Sequence, residues 1–133
     1  MPQWQEGILT LLENCGPDHV SQDPDRLRIH CRTPNGFEIT VQKTRTEFLV
    51  SFAGWHEAFD DFQQALDCVA FGLSERCRLK VTLRGSTECA WTVQSREMSK
   101  WRDDSTTGLI FVPFWRSKRT EFRQNCGQSH RKD

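Results

Sequence analysis

The chain has 133 residues, enough for one domain around one core. Hydrophobic residues make up 36% and charged residues 27%, a globular composition on the polar side, with 5 Trp and 9 Phe but no Tyr to fill the core. Lys and Arg number 18 and so do Asp and Glu, which removes any global electrostatic pull toward nucleic acid or a membrane.

The opening stretch, MPQWQEGILTLLENCG, has no basic leader and no long apolar run, so a cytosolic chain without signal peptide or membrane span is expected. Trp4, Ile8, Leu11 and Leu12 recur at helical spacing, and Gly16-Pro17 is a stop, which predicts an amphipathic helix over 2–15. PDHVSQDPD lacks a period and reads as a loop. RLRIHC and FEITVQK alternate around the turn residues Pro34, Asn35 and Gly36, which predicts a hairpin with Leu27, Ile29 and Cys31 on one strand facing Phe37, Ile39 and Val41 on the other. EFLVSF, with Phe48, Val50 and Phe52 on one face, reads as a third strand. A central helix over about 60–73 follows, carrying Phe62, Ala65, Leu66, Val69 and Leu73 inward and Asp67 outward. CRLKVTL and CAWTVQ alternate as two further strands around the turn RGST, SKWRDDSTTG reads as a loop, and LIFVPFW reads as a last strand placed at an edge by Pro113. The result is an α+β domain over 1–124, with an antiparallel sheet of about six strands and two helices on one face. Residues 125–133 read as a basic, flexible tail.

Six Cys occur at 15, 31, 68, 77, 89 and 126, with no C-x-x-C pair. Cys31, Cys77 and Cys89 share the parity of the apolar residues of their strands, so they read as buried free thiols rather than disulfide or metal ligands. Cys15 and Cys126 fall outside those strands and are expected to be the reactive ones.

His56, Glu57, Asp60 and Asp61 crowd together just before the central helix. Acidic residues there satisfy the free N–H groups and the positive dipole end of a helix, and Asp60 with Gln63 or Asp61 with Gln64 fits a capping pair. The competing reading, an enzyme using His56 and the neighbouring carboxylates, lacks a second cluster. No metalloprotease, nucleophile-elbow or phosphate-loop motif occurs in the chain. No catalytic residue, metal site or cofactor is therefore expected.

The neutral total conceals a strong asymmetry. Residues 46–75 hold six acidic and no basic residues, whereas residues 76–133 hold thirteen basic and six acidic ones. Two recognition surfaces follow. Glu57, Asp60, Asp61 and Asp67 would form an acidic helix face that takes another protein, and Arg116, Lys118, Arg119 and Arg123 would contact phosphates, with Trp101 or Trp115 stacking on bases. The leading expectation is a small non-enzymatic protein-binding domain, inhibitory or accessory, with no membrane partner. A nucleic-acid-binding accessory protein is the alternative.

Overall fold

The computed structural model describes residues 3–13, 20–30 and 35–125. In chain order the elements are α1 (Gln3–Leu11), β1 (Val20–Asp23), β2 (Arg26–Ile29), β3 (Ile39–Lys43), β4 (Phe48–Phe52), β5 (Trp55–Phe59), α2 (Phe62–Leu73), β6 (Cys77–Arg84), β7 (Thr87–Glu97), β8 (Lys100–Gly108) and β9 (Lys118–Arg123). The α+β class and the antiparallel pairing expected from the sequence hold. The strand count and layout differ: among the described residues nine strands form two sheets, one ordered β1-β2-β3-β4-β5 and the other β8-β7-β6-β9.

The first sheet is a run of hairpins. Leu27 faces Val41, Ile29 faces Ile39, and Val41 faces Val50, so the inward residues of three strands share one side. The fifth strand is WHEAF, which the sequence suggested as the approach to a helix. It pairs with β4 through the two-residue turn Ala53-Gly54, with Phe52 opposite Trp55. In the second sheet β6 alternates without interruption, burying Cys77, Leu79, Val81 and Leu83. Strand β8 is the segment SKWRDDSTTG, and β1 lies within PDHVSQDPD; both were expected as loops. Both are mostly exposed edge strands, so water covers the positions that would otherwise show an apolar period.

Helix α2 lies against β4, β5 and β6, and the sheets meet along β5, which touches β7 and β8. One core runs through both layers, joining Ile8 of α1, Ala65 and Val69 of α2, Ile39, Val50 and Phe52 of the first sheet and Leu79, Val81 and Val93 of the second. The seam between the sheets is tight. A Cβ placed on Gly54 would fall 2.3 Å from the Trp91 ring, and the Trp55 indole N–H donates to Ser105 Oγ at 2.9 Å. Gln5 of α1 is fully buried and polar. Its amide donates to the Asp23 carbonyl at 2.7 Å and accepts from Gln22 at 2.7 Å, which ties the helix to the β1–β2 turn.

Cys77 and Cys89 are buried and free, as their strand parity implied. Cys15, Cys31 and Cys126 lie outside the described residues, as do 126–133. Asn125, assigned to the tail on sequence, is held: its side chain accepts from the Phe37 N–H at 2.7 Å and donates to the Gly72 carbonyl at 3.3 Å.

Candidate functional site

The crowded stretch before α2 separates into parts with different tasks. Asp61 is the N-cap: its backbone is extended at φ −114° and ψ 125°, and Oδ2 accepts from the Gln64 N–H at 3.3 Å. Its carboxylate is spent on the helix. Alternation along β5 turns Glu57 and Phe59 toward α2 and His56 the other way. His56 and Glu57 are therefore not an acid–base pair.

Glu57, Asp60 and Asp67 come together. With Glu47, Gln64 and Cys68 they border an open concavity of about 680 Å³ between the strand ends and α2, and Phe59 and Phe71 supply its apolar lining. Asp67 is oriented by the Gln63 amide, which donates to it at 2.9 Å. Among the described residues that line the concavity there is no cation. Burial, with the Glu57 carboxylate adding, pushes the Cys68 thiol up to about 12, so this cysteine stays protonated and is a poor nucleophile. Glu47 escaped the sequence analysis because it sits ten positions before Glu57. The pairing of Phe48 with Phe59 brings it to the same place.

The basic residues near the C-terminus are divided in the same way. Arg123 donates to Glu88 at 2.8 Å and Glu121 at 3.1 Å, and Arg119 pairs with Glu121. Arg116 and Lys118 are exposed, and no side-chain pairing ties either to a carboxylate among the described residues. Trp101, proposed as a stacking platform, is half-buried on the outer face of the second sheet. The Arg78 guanidinium lies over its ring at 4.4 Å and over Phe122 at 4.0 Å, so Trp101 already has a cation–π partner. Trp115 is exposed.

One arrangement was not visible in the sequence. Ser21 Oγ lies 2.6 Å from His30 Nε2, and His30 Nδ1 lies 3.1 Å from Glu38 Oε2. A hydroxyl, an imidazole and a carboxylate in series have the order of a nucleophile, base and orienting acid. The hollow beside Ser21 holds only about 100 Å³, below the roughly 300 Å³ at which small-molecule sites begin. It is lined by Arg26 and Arg28 rather than by apolar groups. The three side chains serve to link β1, β2 and the start of β3.

Among the described residues no group of three or more His, Cys, Asp or Glu is arranged to hold a metal ion, and no helix is long and apolar enough to cross a membrane. Compared with protein families, curated proteins and solved structures, the chain matches none of them.

Proposed function

We infer that this chain is a cytosolic, non-enzymatic protein-binding domain, inhibitory or accessory to its partner, which takes a basic segment of that partner into the concavity between β5 and α2. The observation that carries this reading is the gathering of Glu47, Glu57, Asp60 and Asp67 around Phe59 and Phe71 without a lining cation. A Lys or Arg side chain has a matching build, because its apolar stem packs on the rings while its charge meets the carboxylates. Such a surface steers a basic partner inward and repels phosphate backbones. Nucleic acid is the weaker candidate, because two of the four C-terminal cations expected to bind phosphate are already engaged by Glu88 and Glu121.

The test is capture of partners from the native host by the immobilised protein, read by mass spectrometry. Asp60→Lys/Asp67→Lys should weaken capture at least about tenfold while the melting temperature stays near that of wild type. Asp61 is left intact because it caps α2. Capture that is indifferent to the two reversals would refute the groove. Tight, salt-sensitive binding of DNA or RNA, lost on Arg116→Glu/Lys118→Glu, would put nucleic acid in its place.

A further inference from the structure

The segment LIFVPFW is not a strand. It lies in the connection from Gly108 to Ser117, which carries the chain from one edge of the second sheet to the other, since β8 lies outside β7 and β9 outside β6. It passes the β6–β7 turn on the way, and its ends are fixed there. The Leu109 N–H donates to the Cys89 carbonyl at 2.8 Å, the Gly85 N–H donates to the Ser117 carbonyl at 2.9 Å, and Arg84 reaches the Phe114 and Arg116 carbonyls at 3.4 Å. Gly85 sits at φ 62°, a conformation that strains other residues, and an added Cβ would meet Arg116 Cδ at 2.8 Å, so the Arg116 side chain would have to move. Within the loop the Phe114 N–H bonds to the Val112 carbonyl and the Arg116 N–H to the Pro113 carbonyl. The loop is thus an anchored turn structure, and it presents apolar side chains to water. Ile110 is 90% exposed, Phe111 89%, Phe114 73% and Trp115 72%, with Leu109 about half exposed. Single exposed apolar residues are ordinary, but five within seven consecutive positions form a patch that marks a contact.

The charges around the patch restrict what it contacts. No charged residue occurs from Ser105 to Trp115. At the foot of the loop stand Arg116, Lys118 and Arg84, the last two directly opposite each other in the β6–β9 ladder. A second copy meeting this loop face to face would bring two such cationic sets together. Nucleic acid would satisfy the cations and could stack on Trp115, but it offers nothing to bury Leu109 and Ile110. The interface of an anionic bilayer satisfies both parts. Aliphatic and phenyl side chains enter the acyl boundary, an indole settles at headgroup level, and each nearby Lys or Arg adds attraction to anionic lipid. At the shallow depth of such contacts, about 5–10 Å, loop backbone groups still find water.

We propose that the Leu109–Trp115 loop is a docking tip for anionic membrane surfaces, with Ile110, Phe111, Phe114 and Trp115 inserted in the interface and Arg84, Arg116 and Lys118 on the lipid phosphates. Among the described residues no helix is long and apolar enough to cross a membrane, whereas interfacial docking requires only such a tip. The inference stands independently of the acidic concavity, with which the tip shares no residue.

Sedimentation of the full chain with vesicles tests it, using phosphatidylcholine alone and phosphatidylcholine with phosphatidylserine, at physiological salt. Wild type should partition onto the anionic vesicles and not onto the neutral ones. Ile110→Ser/Phe111→Ser should lower partitioning at least about tenfold, because both side chains leave the interface. Arg116→Gln/Lys118→Gln should lower it about twenty-fivefold, at about fivefold per cation. All four positions are exposed, so circular dichroism melts should confirm that both variants fold as wild type does. Three results would overturn the proposal: no partitioning of wild type, partitioning that survives Ile110→Ser/Phe111→Ser, or equal partitioning onto neutral vesicles. Self-association that the same apolar variant abolishes, without vesicle binding, would assign the patch to a second copy instead.

Discussion

Two stretches of seven residues, Cys77–Leu83 and Leu109–Trp115, meet opposite fates. CRLKVTL holds four apolar residues and buries all of them, whereas LIFVPFW contains nothing but apolar residues and leaves five of them at the surface. Apolar content therefore does not decide burial here; period does. The second sheet has one face on the core, and β6 offers that face Cys77, Leu79, Val81 and Leu83 while sending Arg78, Lys80 and Thr82 outward. An unbroken apolar run suits a strand with apolar cover on both faces, and in this sheet the side away from the core is polar even where it is buried, at Thr92 and Gln94 of β7. Pro113 further removes a ladder donor.

Leu79→Ala should cost about 2–5 kcal/mol through lost burial and the cavity left behind, read as a lowered denaturation midpoint. The neighbouring Cys77 reports on the same event. Burial, with Cys68 and Asp104 adding, pushes its thiol well above the ordinary range, so labelling requires opening of the strand and should accelerate in this variant.

A smaller effect concerns β9, the strand that follows the loop. It is largely exposed and depends on ion pairs more than on burial. Burial alone would raise the Glu88 carboxyl, but hydrogen bonds from Arg123 and the Trp91 indole N–H outweigh it and hold the group below the ordinary carboxylate value. A depressed folded-state pKa stabilises above the unfolded value and ceases to do so as pH falls through the folded one. Glu88→Gln should therefore cost about 0.5–1 kcal/mol at neutral pH, discounted for the part of the carboxylate that water reaches. The gap from wild type should close in acid below the ordinary Glu range, as followed by denaturant midpoints across pH.

The smallest expected change sharpens the contrast. Phe111→Ser, in the more apolar of the two stretches, should alter stability by no more than about 0.5 kcal/mol in the same denaturation assay, because its ring is already in water.

What could be read from the sequence follows the same physics. The β2–β3 hairpin, β4, α2 and β6 all carry local, periodic signals and stand where the pattern puts them, while the structure selects Asp61 over Asp60 as the cap of α2. Strand β5 was hidden because its turn places Ala53 at φ 53°, a conformation that a sequence usually announces with Gly or Asn. The β7–β8 hairpin was hidden in the same way, since Met98 and Ser99 occupy φ 52° and 76° where Asn-Gly would be the familiar signal. With those turns unmarked, WHEAF reads as the approach to the helix and SKWRDDSTTG as loop. The acidic site was legible in part. Glu57, Asp60 and Asp67 converge, but only the strand pairing could show that Glu47 joins them and that capping removes Asp61.

The contact of Gly54 with the Trp91 ring carries a consequence for descent. A side chain at 54 cannot coexist with the Trp91 indole in its present position, so one or the other must shift and the positions are not free to drift separately. Among sequences that share this fold, any that carries a larger residue at the place of Gly54 should carry a smaller one at the place of Trp91. The pair would then vary together across a seam whose two sides lie 37 positions apart in the chain.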